Sequence, residues 1–381
     1  MKRAAPDPAA APPPRVRHLF NVFGAPTEQS WLDVVKGTAA LGFAAEVACE
    51  TSGSLAGGAG VPVETVPRIR VEPVDDTDRQ MQEIAKRPVP GPLPAVVHGH
   101  LGTRVLHAAP YLARGVPALI SLYGYDASRL LRDPAWVERY RWAARQGATF
   151  VVLAPSLRDR LVQRGVPRGA VEVVPLGIHL DQWPFDPHVA SQPSRFVFVG
   201  RLTAKKGVAT LIDALPRCPG CALHVVGDGP LAGTLRRRCE GLGLGDRVVF
   251  RGERPRGELP RILRGATALV LPSETAPDGD EEGTPIVLME AQALGVPVVT
   301  TFHGGNAEVI SEAGQAYVAP PGDPAALAET LRAVAALPPD LRAVLQAQGR
   351  RWVEDAYDLR QTIVRYAALY RALIRSDPGL G

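Results

Sequence analysis

A chain of 381 residues is too long for one ordinary hydrophobic core and long enough for two domains. Hydrophobic residues make up 46% and charged residues 22%, which is typical of a globular protein and argues against a largely disordered chain. Lys and Arg exceed Asp and Glu by only 43 to 39, a net charge of +4, and nothing in the sequence resembles the clustered positive charge of a nucleic-acid-binding surface.

The N-terminal segment 1–16 is rich in Ala and Pro and lacks an apolar stretch of signal-peptide length. This composition predicts a disordered leader. No run in the chain reaches the ~20 apolar residues that a membrane-spanning helix needs. We therefore expect a cytoplasmic protein. Whether it also contacts the inner face of the cell membrane peripherally is a question that the sequence leaves open.

Residues 17–185 predict a first α/β domain, because short apolar runs alternate with helical segments. The predicted strands are 17–23, 45–49, 94–98, 117–122, 149–153 and 171–174. Alternation of this kind is typical of a parallel sheet covered by helices on both faces. The first half is thus predicted to be a Rossmann-like domain.

A Pro-containing stretch without apolar periodicity, 186–194, predicts a linker, and the alternating pattern then restarts over 195–355. The predicted strands of this half are 195–199, 223–226, 247–250, 268–271, 297–300 and 316–319. Residues 356–381 predict a C-terminal helix able to cross back to the first domain. The predicted fold class is α/β, with two doubly wound parallel sheets facing each other across a cleft.

The four cysteines offer little support for a metal site. Cys218 and Cys221 form a C-x-x-C pair, but no second pair or histidine partner stands at zinc spacing. We interpret them as reduced thiols around a turn and predict no metal.

The most informative stretch is 282–290, EGTPIVLME. Glu282 and Glu290 flank a Gly-Thr-Pro turn and an apolar helix, and Pro285 suits the first helical position. The free amides and the positive dipole end of this helix predict an anion site. An anion site bordered by two acids is what a sugar joined to a diphosphate requires.

A second motif follows the first strand of the second half, at 200–207, GRLTAKKG. Arg201 can grip phosphate oxygens in a fork, and Lys206 adds a point charge. A solvated basic loop is the alternative reading. Gly227 and Asp228 end the next strand, where such residues alone indicate only a turn.

These motifs stand in one order at successive strand ends, together with 271–273, LPS. The order resembles the retaining glycosyltransferases of GT-B architecture, the family of sucrose synthases and bacterial exopolysaccharide and lipopolysaccharide glycosyltransferases. The loop 276–285, APDGDEEGTP, is particularly similar to the colanic-acid type. The resemblance is strong over 196–323 and looser in the first half.

The resemblance implies that Arg201 and Lys206 bind and stabilise the departing diphosphate, and that Glu282 contacts hydroxyls of the transferred sugar. Glu290 would hold the ribose hydroxyls of the nucleotide. Glu281 competes for the first acid position, although its spacing to Glu290 is one residue too long. The further donor-binding residues implied are Gly283, Thr284, Pro285, Ile286, Gly227, Asp228, Gly305 and Asn306.

The first half would hold the acceptor. The acceptor-binding residues implied by the resemblance are Thr27, Glu28, His98, His100, Tyr123 and Asp126. Tyr123 stands where the family has a histidine that contacts the transferred sugar, and this departure puts that contact in doubt. For the two histidines a structural role stays open, as does a helix N-cap for Asp126. His179 departs from the family's aspartate and is assigned no catalytic role.

The implied activity is that of a retaining hexosyltransferase, which needs a nucleotide diphosphate sugar but no metal or other cofactor. Its acceptor would be a hydroxyl of a glycan, a lipid-linked glycan or a small molecule, in cell-surface polysaccharide or natural-product biosynthesis. The spacing of Asp278 and Asp280 would suit a metal, but they lie in the loop before Glu282.

Three alternatives stay open. A glycosidase could use Glu282 and Glu290 as its two carboxylates, although Arg201 and Lys206 would then have no role. A phosphorylase or nucleotide-sugar epimerase could use the same scaffold. The missing histidine at Tyr123 motivates the third, a catalytically silent sugar-nucleotide-binding subunit of a biosynthetic complex.

Overall fold

The structure, a computed structural model, describes residues 12–24, 29–187 and 194–375. The described residues form two compact units. Unit 1 contains those up to Ser121, together with 138–150 and those from Ile363 onwards. Unit 2 contains 122–137 and the described part of 151–362. The predicted boundaries of domains and linker remain predictions, but the first strand begins at Arg15, inside the predicted leader.

The first sheet has seven parallel strands in the order β3-β2-β1-β4-β5-β6-β7. Its strands are β1 Arg15–Phe23, β2 Ala44–Ser52, β3 Val63–Thr65, β4 Val96–His100, β5 Ala118–Leu122, β6 Thr149–Val152 and β7 Val171–Val173. The helices along this part of the chain are α1 Gln29–Ala40, α2 Thr77–Ala85, α3 Val105–Leu112, α4 Pro134–Arg145 and α5 Pro155–Gln163.

The second sheet has six parallel strands in the order β10-β9-β8-β11-β12-β13. Its strands are β8 Arg195–Val199, β9 Ala222–Val226, β10 Val248–Gly252, β11 Ala268–Leu271, β12 Val298–Thr301 and β13 Val318–Ala319. The helices are α6 Val208–Ala214, α7 Ala232–Gly241, α8 Leu259–Leu263, α9 Ile286–Ala293, α10 Pro324–Ala335, α11 Pro339–Ala356 and α12 Leu359–Arg375.

Both sheets have the strand order of a doubly wound Rossmann fold, which confirms the predicted α/β class with two doubly wound parallel sheets. In each sheet the order reverses beside the first strand, at β1/β4 and at β8/β11. Ligands of such folds bind beyond the carboxyl ends of the strands at this reversal. In the second sheet, the two predicted donor motifs follow these two strands.

The burial of unit 2 explains why the strands of the second sheet are continuous apolar runs in the sequence. Every residue of β11 is buried, and Phe196 and Phe198 of β8 are fully inaccessible to solvent. Strands covered on both faces cannot alternate between apolar and polar residues. Lys206 and Glu282 accordingly lie in the loops that follow β8 and β11.

Two local differences from the sequence analysis concern helix ends. The predicted C-terminal helix begins at Leu359 and not at 356, after a break at Asp358 where Leu359 N donates to Ile178 O at 3.0 Å. Pro285 lies at the N-cap and not at the first helical position, since α9 begins at Ile286. None of the described helices is both long and apolar enough to cross a membrane.

Candidate functional site

The loop after β8 brings Lys206 to the loop before α9. Gly207 has φ +64°, and a Cβ at this position would lie 1.8 Å from the carbonyl oxygen of Pro272, which follows β11. Only glycine allows both the left-handed backbone and this close approach. The two strand ends are thereby held together, and Lys206 Nζ donates to Glu282 Oε2 at 3.0 Å.

We expect Gly207→Ala to destabilise the protein by more than the cost of a left-handed backbone, which is roughly 1–2 kcal/mol. Gly243→Ala is a matched control, because Gly243 has φ +66° but a Cβ added there would have no atom within 4 Å. Thermal unfolding should show a clearly larger fall in Tm for Gly207→Ala. Equal shifts for the two variants would contradict the tight packing of this loop on Pro272.

Glu282 is a buried acid held ionised by two lysines. It is 7% exposed, and Lys205 Nζ lies 3.6 Å from its Oε1 in addition to the Lys206 contact on Oε2. Burial opposes ionisation of the carboxyl, but Lys206 and Lys205 outweigh it, so the pKa of Glu282 lies below its ordinary value. Oε1 has no hydrogen-bond partner among the described residues, and is available to a hydroxyl.

Lys205, which the sequence analysis passed over, fixes the loop before Glu282. Its Nζ lies 3.0 Å from Asp280 Oδ2. Asp278, the other acid of the pair considered for a metal, lies 2.8 Å from Arg129 Nη1. Each of these carboxylates is engaged by a cation, so the pair serves to shape the loop.

The competing acid Glu281 has partners of its own. Arg160 Nη1 lies 2.6 Å from its Oε2, and Thr275 Oγ1 donates to its Oε1 at 3.2 Å. Of the two glutamates, Glu282 is the one whose carboxylate contacts Lys205 and Lys206. The sequence analysis did not include Arg160, which lies on α5, among the predicted site residues.

Backbone crowding shapes the turn between Glu282 and α9. A Cβ on Gly283 would lie 1.5 Å from the carbonyl oxygen of Tyr123, so only glycine fits. Gly305 N donates to Gly283 O at 2.8 Å, which brings the loop after β12 to the same turn. No side chain caps the N-terminus of α9, so its first amides are not occupied by a capping group.

Asn306 is fully buried beside this turn. Its Nδ2 donates to Thr300 Oγ1 at 3.0 Å, while its Oδ1 has no partner among the described residues. Glu308, two residues later, accepts from Ser156 N at 3.1 Å, at the start of α5. Glu308 thus braces a helix that precedes it in the chain.

Arg201, Gly227 and Asp228 lie at neighbouring strand ends. Leu202 N donates to Asp228 O at 2.9 Å, which joins the loops after β8 and β9. Arg201 is exposed, and within the described residues no ion pair engages its guanidinium. Asp228 accepts from Gly229 N at 2.7 Å, as expected of a turn residue.

Glu290 is buried within α9 and paired with Arg256, a residue that the sequence analysis missed. Arg256 Nη2 lies 2.5 Å from Glu290 Oε1, and its guanidinium carbon lies 5.8 Å from the centre of the Trp183 indole. Glu290 is only 4% exposed. Burial outweighs the arginine and raises the pKa of Glu290 to about 7.

The predicted acceptor residues that the structure describes are divided between the two units. His98 and His100 belong to unit 1, where both are buried and burial keeps the pKa of each imidazole well below its ordinary value. This favours the structural role left open for them. Thr27 and Glu28 lie outside the described residues.

Tyr123 and Asp126 belong to unit 2. Asp126 is fully buried, and its Oδ1 accepts from Tyr123 N at 2.7 Å and from Gly124 N at 3.1 Å. The carboxylate thereby holds the Tyr123 backbone against Gly283. The acceptor-binding roles of both residues remain predictions.

Comparison with known proteins identifies the family. Residues 27–182 match the model of Glycosyltransferase Family 4, and residues 181–352 match that of Glycosyl transferases group 1. The putative colanic acid biosynthesis glycosyltransferase WcaL of Escherichia coli (strain K12) is 33% identical over 267 residues, or 68% of this chain. The chain covers 65% of WcaL, slightly less than two thirds of its length.

Two further relatives extend the comparison over more of the chain. Glycogen synthase of Mycobacterium tuberculosis (strain H37Rv) is 30% identical over 300 residues, which cover 74% of this chain and 70% of the synthase. The crystal structure of HepE from Anabaena, in complex with UDP and glucose, has a TM-score of 0.74 at 20% identity and covers 93% of this chain and 99% of HepE. At that identity the likeness to HepE shows the fold alone. Family models, relatives and fold agree, and the chain belongs to the GT-B glycosyltransferases.

Proposed function

We propose that the protein is a retaining glycosyltransferase that moves a hexose from a nucleotide diphosphate sugar to a hydroxyl of an acceptor. The acceptor is a glycan, a lipid-linked glycan or a small molecule, in the biosynthesis of a polysaccharide or a glycosylated natural product. The observation that carries the proposal is the buried pairing of Lys206 with Glu282 at the strand reversal of the second sheet, before an uncapped helix.

Charge stabilisation of the leaving group is the main catalytic contribution in this proposal. When the bond between the sugar and the diphosphate breaks, negative charge grows on the departing phosphate. Lys206, Arg201 and the first amides of α9 supply fixed positive charge, which acts without reorganisation during the reaction. No metal is needed to bridge the phosphates in this scheme.

Glu282 and Glu290 orient the donor at its two ends. Oε1 of Glu282 is free to accept from a sugar hydroxyl while Oε2 stays on Lys206. Glu290 accepts from the ribose hydroxyls, a contact that has to replace or share its pair with Arg256. The acceptor hydroxyl attacks on the face that the diphosphate leaves and passes its proton to the departing phosphate, so the anomeric configuration is retained.

A thermal-shift screen with UDP, GDP and dTDP, and with the corresponding nucleotide diphosphate sugars, tests the donor site first. The UDP bound to HepE makes uridine nucleotides the first to try. We expect one nucleotide class to raise Tm, and the matching sugar nucleotide to be consumed with a suitable acceptor, in the presence or absence of EDTA. Binding without turnover across an acceptor panel would favour the silent subunit.

The stereochemistry has its own readout. Proton NMR of the first-formed product should give the same anomeric configuration as the donor. An inverted product would contradict front-face attack and the assignment as a retaining enzyme. The predicted cytoplasmic location, with peripheral membrane contact, is part of this proposal and is checked by cell fractionation.

A further inference from the structure

Three histidines of unit 1 lie together on one face of the first sheet. The register of β1 and β4 pairs His18 with His98, and His100 follows two residues later on the same face of β4. None of the three is more than 1% exposed. His18 and His100 are separated by 82 residues in the chain, so the sequence alone does not bring them together.

Their ring nitrogens lie at distances close to those of a metal site. One nitrogen from each histidine can be chosen so that all lie within 4.8 Å of one another, and His18 Nδ1 lies 3.0 Å from His100 Nε2. Two imidazole nitrogens on a tetrahedral zinc ion are roughly 3.4 Å apart. The imidazole rings of His98 and His100, whose centres lie 3.9 Å apart, have to rotate for the three nitrogens to converge on one ion.

The hydrogen bonds around the cluster also fit a metal site. His18 Nε2 is buried without a hydrogen-bond partner among the described residues, which is unusual for a buried polar atom. His98 Nε2 lies 2.8 Å from Ser121 Oγ, and His98 Nδ1 lies 2.6 Å from Tyr370 Oη. A metal ion would replace one of these two contacts of His98, and the other would orient the ring, as is common for metal-binding histidines.

We propose that His18, His98 and His100 bind a divalent late first-row transition metal ion, with Zn²⁺ as the natural occupant. The ligand set is three neutral imidazoles without a carboxylate, which suits zinc, cobalt or nickel and disfavours magnesium, calcium and manganese. Tyr370 Oη, 2.6 Å from His98 Nδ1, is a hydroxyl beside the cluster. The ion has a structural role, because it ties β1 to β4 and takes no part in the chemistry proposed for unit 2.

Metal analysis of the tag-free full-length chain tests the proposal. Because the histidines are buried, the ion has to enter during folding, so the protein is produced with added Zn²⁺ and is also refolded with Co²⁺. We expect roughly one zinc ion per chain after gel filtration in a weak chelator. The cobalt form should show the visible absorption bands of a tetrahedral histidine site.

His18→Asn and His100→Gln are the test variants, and His107→Gln, a histidine of the same unit outside the cluster, is the control. The control should keep the metal and the cobalt spectrum, whereas both test variants should lose them. If the test variants fail to fold, the metal content and the cobalt spectrum of the wild-type protein still show whether a metal ion is bound. Metal-free wild-type protein without a cobalt spectrum would overturn the proposal and leave the histidines as a hydrogen-bonded core.

Discussion

Lys206→Met is expected to lower kcat/KM for the sugar nucleotide roughly 100- to 1,000-fold, the usual cost of removing one fixed charge from a leaving-group site. Methionine keeps most of the volume of the lysine stem but carries no charge. The measurement is initial-rate kinetics with the donor found by thermal shift. Lys86→Met, which removes an exposed lysine paired with Glu83, should leave the rate unchanged.

The same substitution also affects stability, and the two effects can be separated. Removing Lys206 leaves Glu282 buried with Lys205, 3.6 Å away, as its lysine partner, which costs stability because a buried charge loses its hydrogen-bonded partner. The double variant Lys206→Met, Glu282→Gln removes both charges and should recover much of the lost Tm. Transfer should not recover, and a double variant with wild-type rates would show that the pair is only structural.

The strand ends were predictable from sequence because parallel sheets place their functional loops at one edge. Lys206 and Glu282 follow β8 and β11, which are adjacent strands in the sheet. Once the Rossmann pattern is recognised, their meeting follows. The choice of Glu282 over Glu281 also followed from the sequence, because the spacing to Glu290 suits Glu282.

Contacts between distant loops were not predictable in the same way. Arg256 lies in a loop with several arginines, and only the three-dimensional structure selects the one that meets Glu290. Arg160 reaches Glu281 from a helix more than a hundred residues earlier in the chain. The histidine cluster depends on the register between β1 and β4, which is a tertiary property.

Glu290→Gln is expected to stabilise the protein above pH 7 while it weakens donor binding. The pKa of Glu290 is about 7 in the folded protein against 4.5 ordinarily, so folding favours the protonated carboxyl. The stability that this provides is fully present below about pH 4.5 and is lost as the pH rises through 7. Glutamine does not titrate and resembles the protonated acid, so the free energy of unfolding of the variant does not fall in this way as the pH rises.

The expected gain is small at pH 5 and reaches at most about 3 kcal/mol at pH 8. Arg256 loses its partner in the variant, but its side chain is 39% exposed and can be hydrated. Thermal and denaturant unfolding at both pH values measure the difference. Glu354→Gln is the control, since Glu354 is also a helical acid paired with an arginine, Arg350, but is half exposed.

Donor binding should change in the opposite direction. Ribose hydroxyls that donate to Glu290 favour the ionised carboxylate, so nucleotide binding to the wild type should release a proton and tighten as the pH rises from 6 to 8. Glu290→Gln should raise Kd by roughly 10- to 100-fold at pH 8, the value of hydrogen bonds to a charged group, and should abolish the proton release. Calorimetry in buffers of different ionisation enthalpy measures both the change in Kd and the proton release.

Two outcomes would contradict the role of Glu290. A variant that is stabilised at pH 8 yet binds the nucleotide as the wild type does would mean that Glu290 is a destabilising core residue without a role at the donor. A variant that is destabilised at pH 8 would instead make the pair with Arg256 a structural link, because the ionised acid would then contribute more by pairing than it loses by burial.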